Sequence, residues 1–168
     1  PDFKAGPLAL LATVEEESSM RGALEADPGM LKGDILFNLD SEEEGHFFCG
    51  CAGGCRLTMD REVATETVQR PIKAWTISLT GLPGGHSGID IDKGRGNAIR
   101  MMTELLLSLD HFAIGDLHGG SLYNAIPREC FALGVSRQSA AKLQSAIDQF
   151  TILQKRRYPL AEDLKITL

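Results

Sequence analysis

Three consecutive carboxylates, Glu15, Glu16 and Glu17, follow the apolar run 8–14. Adjacent carboxylates repel one another, and a divalent metal ion relieves that repulsion and can activate water. Successive side chains point different ways. One of two neighbouring glutamates can therefore hold a metal while the other reaches the metal-bound water as a general base. Asp40, at the end of a second apolar run, offers a further oxygen ligand. The competing reading of such a run is a solvated acidic loop, and it suits Glu42, Glu43 and Glu44.

A second set of chemical groups lies further along. His86 sits in Gly81-Leu82-Pro83-Gly84-Gly85-His86-Ser87-Gly88, a glycine-rich loop rather than an apolar face, so it is not a core histidine. Asn124 precedes Ala125-Ile126-Pro127-Arg128, where it could equally close a turn. His46, His111 and His118 stand in no motif and read as structural or surface groups. Cys49, Cys51 and Cys55 form C-G-C-A-G-G-C. This is not the paired spacing of a zinc ribbon, and no second ligand pair follows it. It reads as a glycine-rich turn with small reduced thiols.

The elements that must position these groups fall into two regions. Residues 8–14 and 34–39 have the apolar content of buried strands. Ser18 and Ser19 between them could cap a helix to about Ala26. Strand, helix and strand make a βαβ unit whose acidic clusters lie at the carboxyl ends of neighbouring strands, where open α/β sheets place ligands. Such a unit cannot bury both faces of its sheet alone, so it needs neighbours that the chain does not supply.

From residue 72 the pattern changes. Strands are expected at 72–79, 112–117, 130–135 and 164–168. A helix is expected from about Asn97 to Leu109 with Ile99, Met102, Leu106 and Leu109 on one face. A second runs from Gln138 to about Arg156 with Ala140, Leu143, Ile147 and Phe150 inward. The order β-α-β-β-α-β is the ferredoxin-like split βαβ. A further strand near Arg56 to Met59 is expected to pair with the first of these. The fold class is thus part of an α/β domain, residues 1–53, followed by an α+β domain, residues 54–168.

Five segments resemble, in order from about residue 8 to 136, the aminoacyl-histidine dipeptidases. These belong to the co-catalytic zinc peptidases that include carboxypeptidase G and succinyl-diaminopimelate desuccinylase. The segments are Glu16-Glu17-Ser18-Ser19-Met20-Arg21-Gly22-Ala23, Asn38 to Gly45, Gly50 to Gly54, Gly81 to Gly88, and Gly119 to Glu129. The resemblance implies roles by position. Glu16 matches the general base, Glu17 a ligand of one metal and Asp40 a ligand of the other. His86 matches a lid histidine that polarises the scissile carbonyl, commonly in the partner subunit's site. Asn124 matches a substrate-holding lid residue, and Arg128 a carboxylate binder. Two divalent metal ions, zinc by expectation with cobalt or manganese as alternatives, and a homodimer through the lid are implied likewise. The implied activity is hydrolysis of dipeptides, Xaa-His in particular. The alternatives are a sibling peptidase or deacylase, or a non-catalytic dimerisation or small-molecule-binding module.

The same resemblance marks what does not match. The family's His-x-Asp motif and bridging Asp belong before residue 8, and its last histidine ligand belongs downstream of 136. Its lid is also longer than the chain after residue 54. With no initiator Met and an opening Pro-Asp-Phe-Lys, the sequence reads as a cut into a longer polypeptide. A net charge of −6 argues against nucleic acid or anionic membrane as partner. No apolar run approaches the roughly 20 residues of a membrane helix. The expected location is cytoplasmic.

Overall fold

The computed structural model describes residues 6–40, 43–51, 53, 55, 57–69 and 71–168. By internal contact the chain divides into two compact units, Pro1–Asp60 and Arg61–Leu168.

In the second unit, apolar alternation builds the sheet. Strand β1 (Lys73–Thr80) buries Ile77 and Leu79 completely and leaves Ala74 and Thr76 exposed. Strand β5 (Cys130–Ser136) buries Cys130, Ala132, Gly134 and Ser136 in the same alternating way. Strands β3 (Phe112–Gly119) and β6 (Lys165–Thr167) complete a sheet of order β3-β5-β1-β6, antiparallel throughout. Helix α2 (Ala98–Ser108) follows β1, and helix α3 (Ala140–Arg157) follows β5. This is the expected ferredoxin-like βαββαβ arrangement. The apolar faces of both helices meet the buried face of the sheet in one core, centred on Ile77, Leu79, Met102, Leu105, Leu143 and Ile147.

Each helix has a side-chain cap that the sequence supplies in place. Asn97 Oδ1 accepts the Arg100 N–H at 3.1 Å, and Ser139 Oγ accepts the Lys142 N–H at 3.3 Å. Two details depart from expectation. The buried stripe of α2 is Ala98, Met101, Met102, Leu105 and Leu106, with Ile99 only partly buried at its margin. Ala140 is exposed, because the inward stripe of α3 begins one turn later at Leu143 and ends at Gln154.

Residues 57–59 form no strand. The expected pairing with β1 does not form; the partners of β1 are β5 along Lys73–Leu79 and β6 along Ser78–Thr80. Arg56 lies outside the described residues.

The first unit differs more from expectation. Neither 8–14 nor 34–39 is a strand. Their apolar side chains stand in solvent, with Leu10 94% and Leu39 88% exposed. The physical reason is the one the pattern itself raises: these runs need a sheet with both faces covered, and no such layers surround them here. The helix expected after Ser18 and Ser19 shrinks to α1 (Arg21–Leu24), one turn without a side-chain cap. Ser19 donates to the Glu15 carboxylate instead and accepts the Arg21 N–H at 3.3 Å. Asp27-Pro28 ends the segment before enough residues accumulate to offset nucleation.

Leu105→Ala or Ile147→Ala is expected to destabilise the second unit by about 2–5 kcal/mol, read as a lowered urea midpoint. A loss below about 1 kcal/mol would be that of an ordinary surface position and would contradict the packing of both helices on this sheet.

Candidate functional site

The antiparallel register brings two separate motifs to one end of the sheet. Leu79, near the end of β1, and Gly119, at the end of β3, both lie opposite Cys130, the first residue of β5. The 81–88 loop leaves from the first, and the 120–129 loop runs between the other two. The loops then pair directly. Strand β2 (Gly85–His86) and strand β4 (Ala125–Ile126) run antiparallel, with His86 opposite Ala125 and Gly85 opposite Ile126. Ser87 N–H donates to the Asn124 carbonyl at 2.8 Å, and Ala98 N–H donates to the Pro127 carbonyl at 2.9 Å. Helix α2 is thereby anchored to the same loop pair.

Glycine is required where the loop leaves the sheet. Gly81 has φ +84°, and a Cβ there would fall 2.0 Å from the Asp163 carbonyl oxygen. Leu82 is buried beside it in the core.

His86 is exposed, and its ring is not free to turn. Nδ1 accepts the Gly88 N–H at 3.0 Å and the Ile89 N–H at 3.2 Å. A ring nitrogen that accepts cannot carry the hydrogen in the neutral imidazole, so Nε2 is the donor. Asp90 closes the turn from the other side. Its Oδ2 accepts the His86 backbone N–H at 2.8 Å, while its own N–H donates to the His86 carbonyl at 3.0 Å. Lys93 Nζ at 2.7 Å and Arg95 Nη2 at 3.1 Å both meet Asp90 Oδ1. The Lys93 hydrogen bond first, then the His86 N–H, hold the Asp90 carboxyl below its ordinary value of 3.8 against an opposing desolvation, with weaker help from the charges of Arg95 and Lys93. Sequence reasoning passed over Asp90 and Arg95. Nothing in their sequence positions sets them apart from ordinary surface charges.

Beside the paired loops an open groove of about 660 Å³ is lined by Ser87, Arg95, Asn97, Gly120, Tyr123 and Pro127, among others. It is mixed in character, with arginine, amide and ring surfaces. Asn124 is half-buried next to it. Arg128 is exposed, with its Cβ against the space over Gly84.

The acidic residues stand in the first unit. Glu15 has φ +59°, receives the Ser19 hydroxyl and lies 3.4 Å from Arg21. Among the described residues Glu16 and Glu17 are exposed and make no hydrogen bond or ion pair. Asp40 is exposed, its N–H donating to Asn38 Oδ1 at 2.8 Å. Ser41 and Glu42 lie outside the described residues. Among those described, no three His, Cys, Asp or Glu side chains converge on a position that could hold a metal ion. Cys49, Cys51 and Cys55 are exposed free thiols, and Cys130 is buried in the core, which pushes its thiol pKa up. His118 stacks on Phe131 with ring centroids 5.4 Å apart, and His46 lies 3.8 Å from Glu43. Both are surface groups. No described helix is long and apolar enough to cross a membrane.

Comparison with known proteins bears on the whole of this arrangement. Residues 77–157 match the family model of the peptidase dimerisation domain. Over 165 residues the chain is 40% identical to the cytosol non-specific dipeptidase of Escherichia coli (strain K12), covering 95% of this chain and 33% of that protein. The crystal structure of aminoacylhistidine dipeptidase from Vibrio alginolyticus superposes with a TM-score of 0.70 at 36% identity, over 92% of this chain and 33% of that one. The chain thus spans about one third of the length of the relatives it matches.

A carboxylate with a depressed pKa contributes its bonds above the unfolded value and loses them as pH falls through the folded one. The His86 backbone amide proton is therefore expected to titrate with a midpoint below 3.8, followed by amide chemical shift. Asp90→Asn should abolish that titration. A midpoint at or above 3.8 would contradict the bonding of Asp90 to Lys93 and His86.

Proposed function

We propose that this chain, whose residues 77–157 match the family model of the peptidase dimerisation domain, is the lid-bearing portion of an M20-family metal-dependent dipeptidase acting on Xaa-His dipeptides. The observation that carries the proposal is the pairing of Gly85-His86 with Ala125-Ile126. It joins, in one site, the two lid motifs by which the chain resembles these enzymes. The relatives' names divide on substrate. One is an aminoacylhistidine dipeptidase and the other a non-specific dipeptidase. The proposed substrate is accordingly a dipeptide, with a carboxyl-terminal histidine as its preferred form. A cytoplasmic location and a homodimer through the lid belong to the same reading, in line with the cytosolic relative and the dimerisation family.

In this proposal residues 1–53 are part of the catalytic domain and residues 54–168 the lid. His86 donates its Nε2–H to the scissile carbonyl oxygen and so stabilises the negative charge that develops there. A preorganised donor of this kind is worth about 10²- to 10³-fold in rate. Asn124 and Arg128 hold the substrate, Arg128 through its carboxylate. Glu16 is the proton-handling carboxylate. Glu17 and Asp40 are metal ligands, with zinc the proposed ion and cobalt or manganese as alternatives. Glu15 is already engaged by Ser19 and Arg21, which supports Glu16 and Glu17 as the working pair.

The described residues do not by themselves fit a metal, since no three ligands converge. The 168-residue chain is therefore expected to bind zinc only weakly and to release no histidine from Xaa-His dipeptides, tested by calorimetry and a histidine-release assay. Turnover with tight binding of two metal ions would overturn the assignment. It would also remove the alternative of a non-catalytic dimerisation module, which inactivity leaves standing for the chain alone.

Within the intact dipeptidase, Glu16→Gln should keep metal content and lower kcat by about 100-fold or more, the usual scale of lost general-base catalysis. Glu17→Gln should lose metal. Plasma emission alongside steady-state kinetics separates the two. The reverse pattern would move the working pair to Glu15 and Glu16.

A further inference from the structure

The groups around His86 include two residues that the family resemblance leaves without a role. We infer that Asp90 and Arg95 are positioning residues that fix the His86 imidazole in the Nε2–H form with its Nδ1 turned inward. The inference rests on the reading of His86 as the group that polarises the substrate carbonyl.

The argument begins with the ring. Nδ1 accepts from both Gly88 N–H and Ile89 N–H, and those two amides point at it only while residues 86–90 keep their turn. Asp90 keeps it. One carboxylate oxygen takes the His86 N–H at 2.8 Å, and the backbone returns a bond from Asp90 N–H to the His86 carbonyl. The turn is closed at both ends of the same residue pair.

Arg95 then ties that turn to the strand leading into it. Its Nη2 lies 3.1 Å from Asp90 Oδ1, and its Nη1 donates to the Gly84 carbonyl at 2.6 Å. A planar guanidinium presents its donors from separate nitrogens in a rigid fork, so it can hold two acceptors at a fixed spacing, whereas an ammonium offers one nitrogen with rotatable donors. Lys93 makes only the one contact with Oδ1, and its side chain is about half exposed against 24% for Arg95. The bridge occupies the space above Gly85. A Cβ at Gly85 would lie 2.4 Å from Arg95 Nη1 and 2.6 Å from Asp90 Oδ2. The second glycine of Gly84-Gly85-His86 is therefore the space through which the guanidinium reaches the carboxylate.

The chemical consequence concerns which nitrogen faces the substrate. With the turn intact, Nε2 carries hydrogen and can donate to a carbonyl oxygen. With the turn loosened, the ring is free to populate the other tautomer, in which Nε2 is a lone pair facing an oxygen lone pair. The clamp thus acts on the transition state through His86 and touches no substrate atom itself.

The test reads the ring directly. In the 168-residue chain labelled with ¹⁵N-histidine, at about pH 8 where an ordinary histidine is neutral, long-range ¹H–¹⁵N correlation should report the Nε2–H form for His86. Asp90→Asn and Arg95→Ala should each convert that signal to a tautomer mixture. Should either fail to give a dispersed amide spectrum, Arg95→Lys decides. It keeps the charge but loses the rigid two-nitrogen fork that holds Gly84 O and Asp90 Oδ1, and it should show the same mixture. An unchanged His86 ring in the folded variants overturns the inference. In the intact dipeptidase the same variants should lower kcat by about 100-fold, the scale of a misplaced catalytic group, with KM much less affected. A tautomer mixture with unaltered kcat would instead overturn the catalytic reading of His86, and with it the catalytic half of this inference.

Discussion

The alternation of buried and exposed residues on β1 is the constraint from which the rest of the second unit follows. Ile77 and Leu79 are wholly buried, so they fix which face of the strand meets the helices. A one-residue slip would turn both into solvent and bring Thr76 and Ser78 into the core. With that face fixed, the pairing of Leu79 with Cys130 is fixed too, and Gly119 pairs with the same residue from the far side. The ends of two strands and the start of a third therefore coincide. Two loops distant in sequence have nowhere else to go than beside each other. The candidate site is a consequence of sheet register before it is a consequence of any catalytic residue.

The legible parts of the chain are those whose information is local. The four strands of the main sheet and both long helices of the second unit each formed within a few residues of their expected bounds, and the periodicity is clearest in β1 and β5. The margins moved where neighbours decide. Met101 and Leu105 join the α2 stripe because the sheet meets that helix slightly rotated from the expected face, and Ala140 precedes the turn that first touches the core. The β2–β4 pair was not legible, since two residues per strand leave no alternation to read. Residues 8–14 and 34–39 failed for the opposite reason. Their composition is that of buried strands, but burial is a property of surroundings. A run such as Ile35-Leu36-Phe37 cannot become a core strand where nothing covers it.

The chemistry divides along the same line. His86 was visible as a histidine in a glycine-rich loop, and the backbone amides that orient it were not, because an N–H has no letter in a sequence. Asp90 and Arg95 looked like ordinary surface charges. Only their distances, to the His86 amide, to the Gly84 carbonyl and to each other, give them a role. Glu16, Glu17 and Asp40 present the converse. Their spacing suggests a metal site strongly, yet a metal site is a convergence of at least three groups, and spacing along a chain cannot supply convergence.

The space above Gly85 links three positions in a way that shapes how this loop can change over generations. A methyl group at Gly85 has no room while Arg95 crosses to Asp90, and the backbone there, at φ +147°, disfavours any side chain even without the arginine. Loss of the arginine would therefore leave the glycine still held by its own backbone, whereas a side chain at Gly85 would bar the arginine from its place. Single substitutions in this trio are not independent events. The glycine can outlast the arginine, but the arginine cannot outlast the glycine, an order of loss set by a few ångströms of empty volume.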